Sequence, residues 1–546
     1  MKQNFSFHNR QKLMQNLEEE SFDLLIVGGG INGAGVARDA ASRGMKVALV
    51  EKDDFASGTS SRSSKLVHGG IRYLENLEFD LVFEALSERA RLFDMAPNLV
   101  HPLRFVLPIY KGDRVGMFKM GMGMALYDLL STYEAPELHE RLNADDSMER
   151  LPLLNSKNLK GSYVYSDAYM DDDRLVIETL RSAHSYGALS ASYVTAGEPI
   201  RDDNKIIGIE CTDGLSGKKF VVKAKHVVGS VGPWTDIYFS EVYKDWKNCL
   251  RPTKGVHITV ERERVNLKQA VVMVSNDQKR IVFGIPRHEM TIFGTTDTDY
   301  KGDPKNVRAE KEDITYLLEL INHYFPGAKL KEEDILASYA GVRPLVNDGS
   351  SSEGKTSREH EIWSKEDGVT LVAGGKYTTY RLIAEHVMEE VLKYFEVEDL
   401  VRFHQSASKE NLNAKTSNTS MAKARSQRDY WSRTYGFSTD LIDKMIDRHG
   451  LEAYDLLERK KSEEQASEEL MWVLEARHAI DHCMCASLRD FYFRRVPLFL
   501  SYKDHGHQFL DAIAKEFKES FSWSDQEIEA QIKELEQQES FDLNWR

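Results

Sequence analysis

Cysteine is scarce: four occur in 546 residues, Cys211, Cys249, Cys483 and Cys485. So few exclude a disulfide scaffold and fit a reducing compartment. Long apolar runs are missing too. The longest stretch free of Asp, Glu, Lys and Arg is 182–197, 16 residues holding a histidine, two glycines and several serines. That is shorter than the ~20 apolar residues of a spanning helix, so no membrane crossing is expected. The opening segment MKQNFSFHNRQKLMQNLEEE lacks the apolar core of a signal peptide and turns acidic. Positive charge is in deficit, 72 Lys+Arg against 87 Asp+Glu, a net −15. This excludes the broad basic footprint of a nucleic-acid binder, though not a local pocket for a small anion.

What is present is ordinary for a globular chain. A hydrophobic fraction of 41% and a charged fraction of 29% exclude wholesale disorder. At ~100–200 residues per domain the length suggests roughly three or four domains, enough to bury a large core without a metal or disulfide staple.

Residues 1–20 read as a short N-terminal extension. DLLIVGGG (23–30) reads as a buried strand, 31–43 as a helix and KVALVEK (46–52) as a second strand, a βαβ unit. DDFASGTSSRSSKLVHGG (53–70) reads as an extended loop. Leucine spacing over 72–95 predicts a helix, RFVLPIY (104–110) a strand, and 171–187 a helix stopped by Gly187. Short strands follow over 189–230 and 251–299, and 371–395 reads as strand, Gly-Gly turn and helix. The stretch 403–425 is polar, rich in Ser and Asn, without apolar period, and reads as a linker. Beyond it only helices are expected, the acidic one at 526–539 as a solvated face.

The sharpest local motif is Gly28-Gly29-Gly30-Ile31-Asn32-Gly33, which satisfies G-x-G-x-x-G. Gly28 allows a tight turn, Gly30 a close approach to a pyrophosphate, and Gly33 close packing of helix on strand. The helix start adds free N–H groups and a favourable dipole. Glu51, ending the second strand, is placed to accept from ribose hydroxyls. The motif alone does not separate NAD from FAD. Two later turns, around Gly232-Pro-Trp and Gly374-Gly375, are candidate partners; a helix start at the second would face the region of a flavin where negative charge grows. Anion-binding candidates are His68, Arg72 and Tyr73 after a double glycine, with Arg343, Arg358 and Lys376, since a planar guanidinium suits phosphate oxygens. Taken singly, each of these is more often a solvated surface residue.

The segments LLIVGGGINGAGVARDAASRG, SGTSSRSSKLVHGGIRYLE, FEALSERARLFDMAP, YSDAYMDDDRLV, GPW, KGVHI, RIVFGIPR, GTTDTDYKGDP, YAGVRPL and GGKYTTYR run in order between about 21 and 390. Together they closely resemble the FAD-dependent, aerobic-type glycerol-3-phosphate dehydrogenases. The resemblance implies an α/β fold, a Rossmann-like FAD-binding domain interleaved with a mixed β-sheet substrate domain, amino-acid-oxidase-like. It places these over 21–402, the substrate part mainly 72–185 and 250–345, with an all-α C-terminal domain over 426–546. By position, Gly28, Gly30, Gly33 and Glu51 look like FAD pyrophosphate and ribose contacts. Thr59, Ser60, Ser64, Lys65, His68, Gly69 and Gly70 look like the loop along diphosphate and ring, and Gly232, Gly374, Gly375 and Thr378 like further FAD contacts. Arg72, Tyr73 and Arg358 match the substrate-phosphate pocket. His257, Arg343 and Lys376 match polar groups near the reacting carbon. The chain departs at Ser230 and Val231, where the family more often has Asn-Ala-Thr before Gly-Pro-Trp.

The resemblance implies oxidation of sn-glycerol 3-phosphate to dihydroxyacetone phosphate, with electrons passed to a membrane quinone. His257 is the first candidate for the base and His68 the second, because imidazole titrates near neutral pH. The expected location is the cytoplasm, with a peripheral contact at the inner face of the cell membrane, and a homodimer is expected at the family level. VGMFKMGMGMALYDLLS (115–131) is too short to span; it reads either as a helix lying in a lipid surface or as a Met-rich core helix. Two rival functions are an oxidase passing electrons to oxygen and a non-catalytic flavin-binding protein. The joint presence of His257, Arg343 and Arg358 argues against the last. His482-Cys483-Met484-Cys485 lacks the second ligand pair of a zinc site and reads as buried thiols, so no metal is expected.

Overall fold

The structure is a computed structural model and describes residues 4–71, 74, 78–131, 135–275, 280–347, 349 and 359–546. The N-terminal extension is docked. Its helix Arg10–Glu19 buries Leu13 and Leu17, and Arg10 Nη2 donates to Asp213 at 2.8 Å.

Strand β1 (Ser21–Val27) is buried at every position but the first. Apolar on both faces, it belongs inside a parallel sheet. Helix α1 (Ile31–Ser42) follows, and β2 (Val47–Val50) returns parallel to β1 with Ile26 opposite Leu49. Lys219–Gly229 lies parallel on the other side of β1, with Val369–Gly374 parallel beyond it. Val27, Val50, Gly229 and Gly374 therefore end on one edge, the carboxyl edge where ligands of such sheets bind. The predicted helix over 171–187 spans Asp172–Tyr186 and stops at left-handed Gly187. The helix expected over 72–95 is described as Phe79–Met95.

Helix α2 (Met117–Leu130) is the Met-rich segment. It buries Met124, Tyr127 and Asp128 and leaves Phe118 81% exposed. It is thus neither wholly core nor wholly surface. No helix among the described residues is long and apolar enough to cross a membrane.

A second, mixed sheet holds β3 (Leu250–Glu261) and β4 (Ile335–Val346), antiparallel, with Gly255 opposite Gly341 and His257 opposite Tyr339. The sheet continues from β3 through Met290–Gly294, Ile281–Arg287 and Ala270–Val274 to Val100–Tyr110 and Leu159–Met170.

Past Gly374 the described residues form no strand. Among the C-terminal helices are α3 (Leu488–Arg494) and α4 (Asp525–Asp542). Trp472, Phe491 and Phe517 join the same core as β1 and α1, so these helices are packed onto the first sheet's domain. The stretch 403–425 is no free linker in space. Arg38 donates to Ser408 O at 2.6 Å and Glu410 O at 2.7 Å, and Leu412 N donates to Met95 O at 2.9 Å. Its last part starts the helix Asn418–Ser426. Buried anchors such as Ser408 and Leu412 are interspersed in this stretch with exposed polar residues. The acidic helix α4 likewise turns one side inward, burying Leu535, Glu539 and Asp542. The inward carboxylates are paired: Glu539 with His507 at 2.8 Å and Asp542 with Arg62 at 2.9 Å. Cys483 and Cys485 are buried free thiols.

Candidate active site

A cavity of about 1670 Å³ runs from the carboxyl edge of the first sheet to the face of the second. Gly28, Gly30, Glu51, Thr59, Ser60, Ser64, His68, Gly70, Gly232, His257, Arg343, Gly374, Gly375, Lys376 and Thr378 all line it. Gly33, Lys65 and Gly69 are not among its lining residues. Arg72, Tyr73 and Arg358 lie outside the described residues.

At the sheet edge the glycine motif packs tightly. A Cβ at Gly33 would sit 2.0 Å from Gly28 O, and one at Gly28 would sit 2.5 Å from Ser230 O. Gly33 thus serves helix-on-strand packing. Ser230, one of the departing positions, donates to Val27 O and Gly28 O, both at 3.2 Å. Glu51 accepts from Gly29 N at 2.7 Å and from Asp53 N at 3.0 Å. Desolvation pushes its carboxyl above the ordinary value, with those two N–H bonds opposing. Lys52 lies with Nζ 3.7 Å from the centroid of the Trp234 ring, a cation–π contact across this end of the cavity.

The loop after β2 ties the two domains. Ile31 N donates to Ser60 Oγ at 3.0 Å, and Thr59 Oγ1 donates to Val342 O at 2.6 Å. Lys65 turns away from the cavity toward Asp172 and lies 3.5 Å from Asp173. Burial alone would lower its ammonium pKa; those carboxylates reverse the effect and raise it. Asp167 accepts from Gly69 N at 3.3 Å and from Arg89 Nη1 at 2.7 Å. Gly69 has no room for a side chain, since a Cβ there would meet Leu86 and Tyr127 at 2.5 Å. His68 N donates to Thr378 Oγ1 at 3.3 Å, which brings the double-glycine loop to the Lys376–Thr378 turn. That turn requires left-handed backbone at Gly374 and Gly375, φ 75° and 83°.

On the second sheet His257 is 1% exposed and its Nε2 lies 2.8 Å from Ser64 Oγ. Its ring stacks on Tyr339, centroids 4.7 Å apart and planes 10° apart. Burial holds its pKa well below the ordinary value, and the positive charges of Arg343 and Lys65 add to this. The imidazole is therefore neutral across the physiological range. Arg343 passes over Gly255, where a Cβ would meet its Nη2 at 2.5 Å. Nη2 donates to Thr295 Oγ1 at 2.9 Å and Nη1 to Asp297 Oδ1 at 3.0 Å. Sequence reasoning missed Thr295, Asp297 and Tyr339 as partners. The segment GTTDTDYKGDP was the available signal for the first two, and the β3–β4 register for the third.

Part of the remaining lining is apolar. Leu107, Ile109, Val272 and Phe283 line the cavity together with Met122 and Leu126 of α2. The arrangement suits a long ligand with a pyrophosphate at the glycine turn, where side chains would clash. It also offers a neutral base and a fixed cation beside a glycine-lined space at the other end.

The family described as FAD dependent oxidoreductase matches residues 23–381, and the C-terminal domain of alpha-glycerophosphate oxidase matches 415–528. The aerobic glycerol-3-phosphate dehydrogenase of Bacillus subtilis is 34% identical, covering 96% of each chain. An alpha-glycerophosphate oxidase of Streptococcus pyogenes is 34% identical, covering 97% of each. The crystal structure of a glycerol-3-phosphate dehydrogenase from Bacillus halodurans complexed with FAD is 30% identical, covers 98% of each chain and superposes with a TM-score of 0.79. FAD is the cofactor, and the glycine cradle fits it. The chain belongs to the FAD-dependent oxidoreductases, in the group that holds the aerobic glycerol-3-phosphate dehydrogenases and the alpha-glycerophosphate oxidases.

Proposed function

We propose that the chain oxidises sn-glycerol 3-phosphate to dihydroxyacetone phosphate and passes the electrons to a membrane quinone. The observation that carries this is that His257, kept neutral beside Ser64, and Arg343, held by Asp297, line the same cavity as His68 and Lys376. Gly28, Gly30, Glu51, Thr59, Ser60, Gly232, Gly374, Gly375 and Thr378 would hold FAD. When bound, FAD supplies the two-electron acceptor for hydride from C2. His257 takes the proton of the C2 hydroxyl, a role open to an imidazole kept neutral by burial. Arg343, its fork held by Thr295 and Asp297, stabilises the developing alkoxide without reorganising. Lys376, which also lines the cavity, adds positive charge. Arg72, Tyr73 and Arg358 are the proposed phosphate contacts, and binding at that far end positions C2.

The quinone reading is supported by the apolar side chains in the cavity lining and by the exposed Phe118, Met122 and Leu129 on α2. Lys119 and Arg114 beside them suit an anionic lipid surface. An oxidase is the second reading. Against it, the alignment to the Streptococcus pyogenes oxidase runs over 595 positions, more than the 546 residues of this chain, so that relative carries sequence missing here.

The test is anaerobic addition of glycerol 3-phosphate to the yellow holoprotein, with glycerol as control. Bleaching by the phosphate ester alone is expected. Bleaching by both, or by neither, would overturn the substrate. Peroxide release in air at the rate of turnover would replace the quinone by oxygen.

A further inference from the structure

The loop 53–65 joins β2 to the double-glycine segment. It contributes Thr59 and Ser60 to the cavity wall beside the glycine motif. Near its start, Phe55 and Ala56 support that motif directly: Ala56 N donates to Gly29 O at 3.1 Å, and a Cβ at Gly29 would meet Phe55 Cδ1 at 2.7 Å. The residue between these contacts and Glu51 that anchors the loop is Asp54, which is fully buried.

Among the described residues, the carboxylate of Asp54 is bonded by side chains far along the chain. Arg495 donates to its two oxygens, at 2.8 Å each, and Arg494 Nε donates at 2.5 Å. Both arginines are buried at the end of α3. They are held in turn: Arg494 Nη2 donates to Asp490 at 2.8 Å, which also accepts from Tyr193 Oη at 2.6 Å, and Arg495 Nε donates to Cys483 O at 3.0 Å. A buried carboxylate matched by two fixed guanidinium groups has one geometry available.

The far end of the loop is held by a second element of the same helical domain. Arg62 lines the cavity, and its Nη1 donates to Asp542 at the end of α4 at 2.9 Å. Asp542 is keyed to β4, its carbonyl accepting from Ser338 Oγ at 2.5 Å while Trp545 Nε1 donates to that hydroxyl at 2.8 Å. Close by, Tyr339 Oη donates to Ser63 O at 3.0 Å.

We propose that the C-terminal helical domain is a two-point clamp on the cofactor loop. Asp54 with Arg494 and Arg495 at one end, and Arg62 with Asp542 at the other, are positioning residues for FAD. The reading depends on FAD being the cofactor and not on the identity of the substrate.

The test measures FAD itself. Apoprotein of wild type and Asp54→Asn is titrated with FAD by the quenching of flavin fluorescence, and the melting temperature is recorded with and without FAD. A clamp predicts a dissociation constant raised about tenfold or more and a smaller rise in melting temperature on adding FAD, by linkage. A purely architectural contact predicts that apo and holo forms lose stability alike while the FAD affinity stays at the wild-type value; that result would overturn the proposal. If Asp54→Asn does not fold because two buried arginines are left unmatched, the double variant Arg62→Gln/Asp542→Asn, which leaves no lone charge, is read in the same way. A rise of about threefold or more in its dissociation constant is expected, and wild-type affinity would overturn the clamp. Wild-type apoprotein that takes up no FAD would overturn the cofactor assignment and the clamp with it.

Discussion

His257 Nε2 and Ser64 Oγ lie 2.8 Å apart, although the histidine sits in a strand of the second sheet and the serine in the loop that follows β2. This one contact ties the wall expected to hold the cofactor to the wall expected to act on the substrate. Replacing His257 by Ala removes the proposed base, and general-base catalysis contributes about 100-fold or more. Flavin reduction by glycerol 3-phosphate, followed anaerobically by stopped flow, should slow by that factor. Ser64→Ala removes only a neutral hydrogen bond and should cost about fivefold. An unchanged reduction rate in His257→Ala would transfer the role to His68.

The same histidine sets an acid limb. Its pKa is held well below the ordinary value by burial and by the nearby positive charges, so it stays deprotonated as pH falls. A base must be unprotonated to act. The quantity kcat/KM should therefore not fall through the ordinary histidine midpoint near ~6.5, and its acid limb should lie lower. A profile from pH 5 to 8 checks this; a midpoint at the ordinary value would assign the limb to a more open group.

Arg343 offers a sharper separation of positioning from binding. Asp297 and Thr295 hold opposite ends of its fork. Asp297→Asn keeps the shape but weakens a charged hydrogen bond worth ~1.5–3 kcal/mol. The expected outcome is a fall in kcat of about tenfold with little change in KM. Arg343→Lys should not rescue function, because an ammonium cannot span both partners. Equal loss in KM and kcat for Asp297→Asn would mean that Arg343 serves substrate binding instead.

How much of this was legible before the fold was known depends on sequence distance. The βαβ unit was readable because Gly28 to Glu51 fall in one local run with apolar strands on either side. The helix ending at Gly187 was readable for the same reason. The ion pairs between Asp54 and Arg495 and between Arg62 and Asp542 span over 400 residues, and no periodicity announces them. Side-chain partners stayed hidden in two further places. The segment 403–425 reads as a linker from its polar composition, yet Ser408 O accepts from Arg38 and Ser406 Oγ donates to Asp39. Lys65 stands in the loop that resembles a flavin contact, yet Asp172 and Asp173 draw its ammonium away. Family motifs carry positions well and carry side-chain direction less well.

The exposed face of α2 makes a prediction about the electron acceptor. Phe118 is 81% exposed, so Phe118→Ser removes no packing. If the face lies in lipid, the loss of one buried phenyl ring, about 2 kcal/mol, should weaken flotation with anionic liposomes by about 30-fold. Reduction of a membrane quinone should fall with it, while reduction of a water-soluble dye should hold. Flotation equal to that of the wild type would remove the membrane contact from the proposed function.

The last prediction concerns stability and the helical domain. His449, His478 and His482 stand together, with ring centroids 4.7 Å apart for the first two and 5.0 Å for the last two. Facing them are Arg174, Arg181, Arg448 and Arg459 as cations and Glu452, Glu475 and Asp481 as anions. Burial lowers all three imidazoles, His449 and His482 to about 4 and His478 well below its ordinary value. In the folded protein they stay neutral, whereas in the unfolded chain they bind protons below ~6.5. Their contribution is complete above that pH and is lost as pH falls from there toward 4, by about 1 kcal/mol per histidine per pH unit. His478 makes no hydrogen bond through either ring nitrogen among the described residues, and Glu452 is 3.9 Å away. His478→Leu should therefore leave the melting temperature at pH 7.5 close to the wild-type value and flatten its decline toward pH 5. A thermal melt series over that range checks it, and a decline as steep as in the wild type would show that the histidines do not set the acid sensitivity.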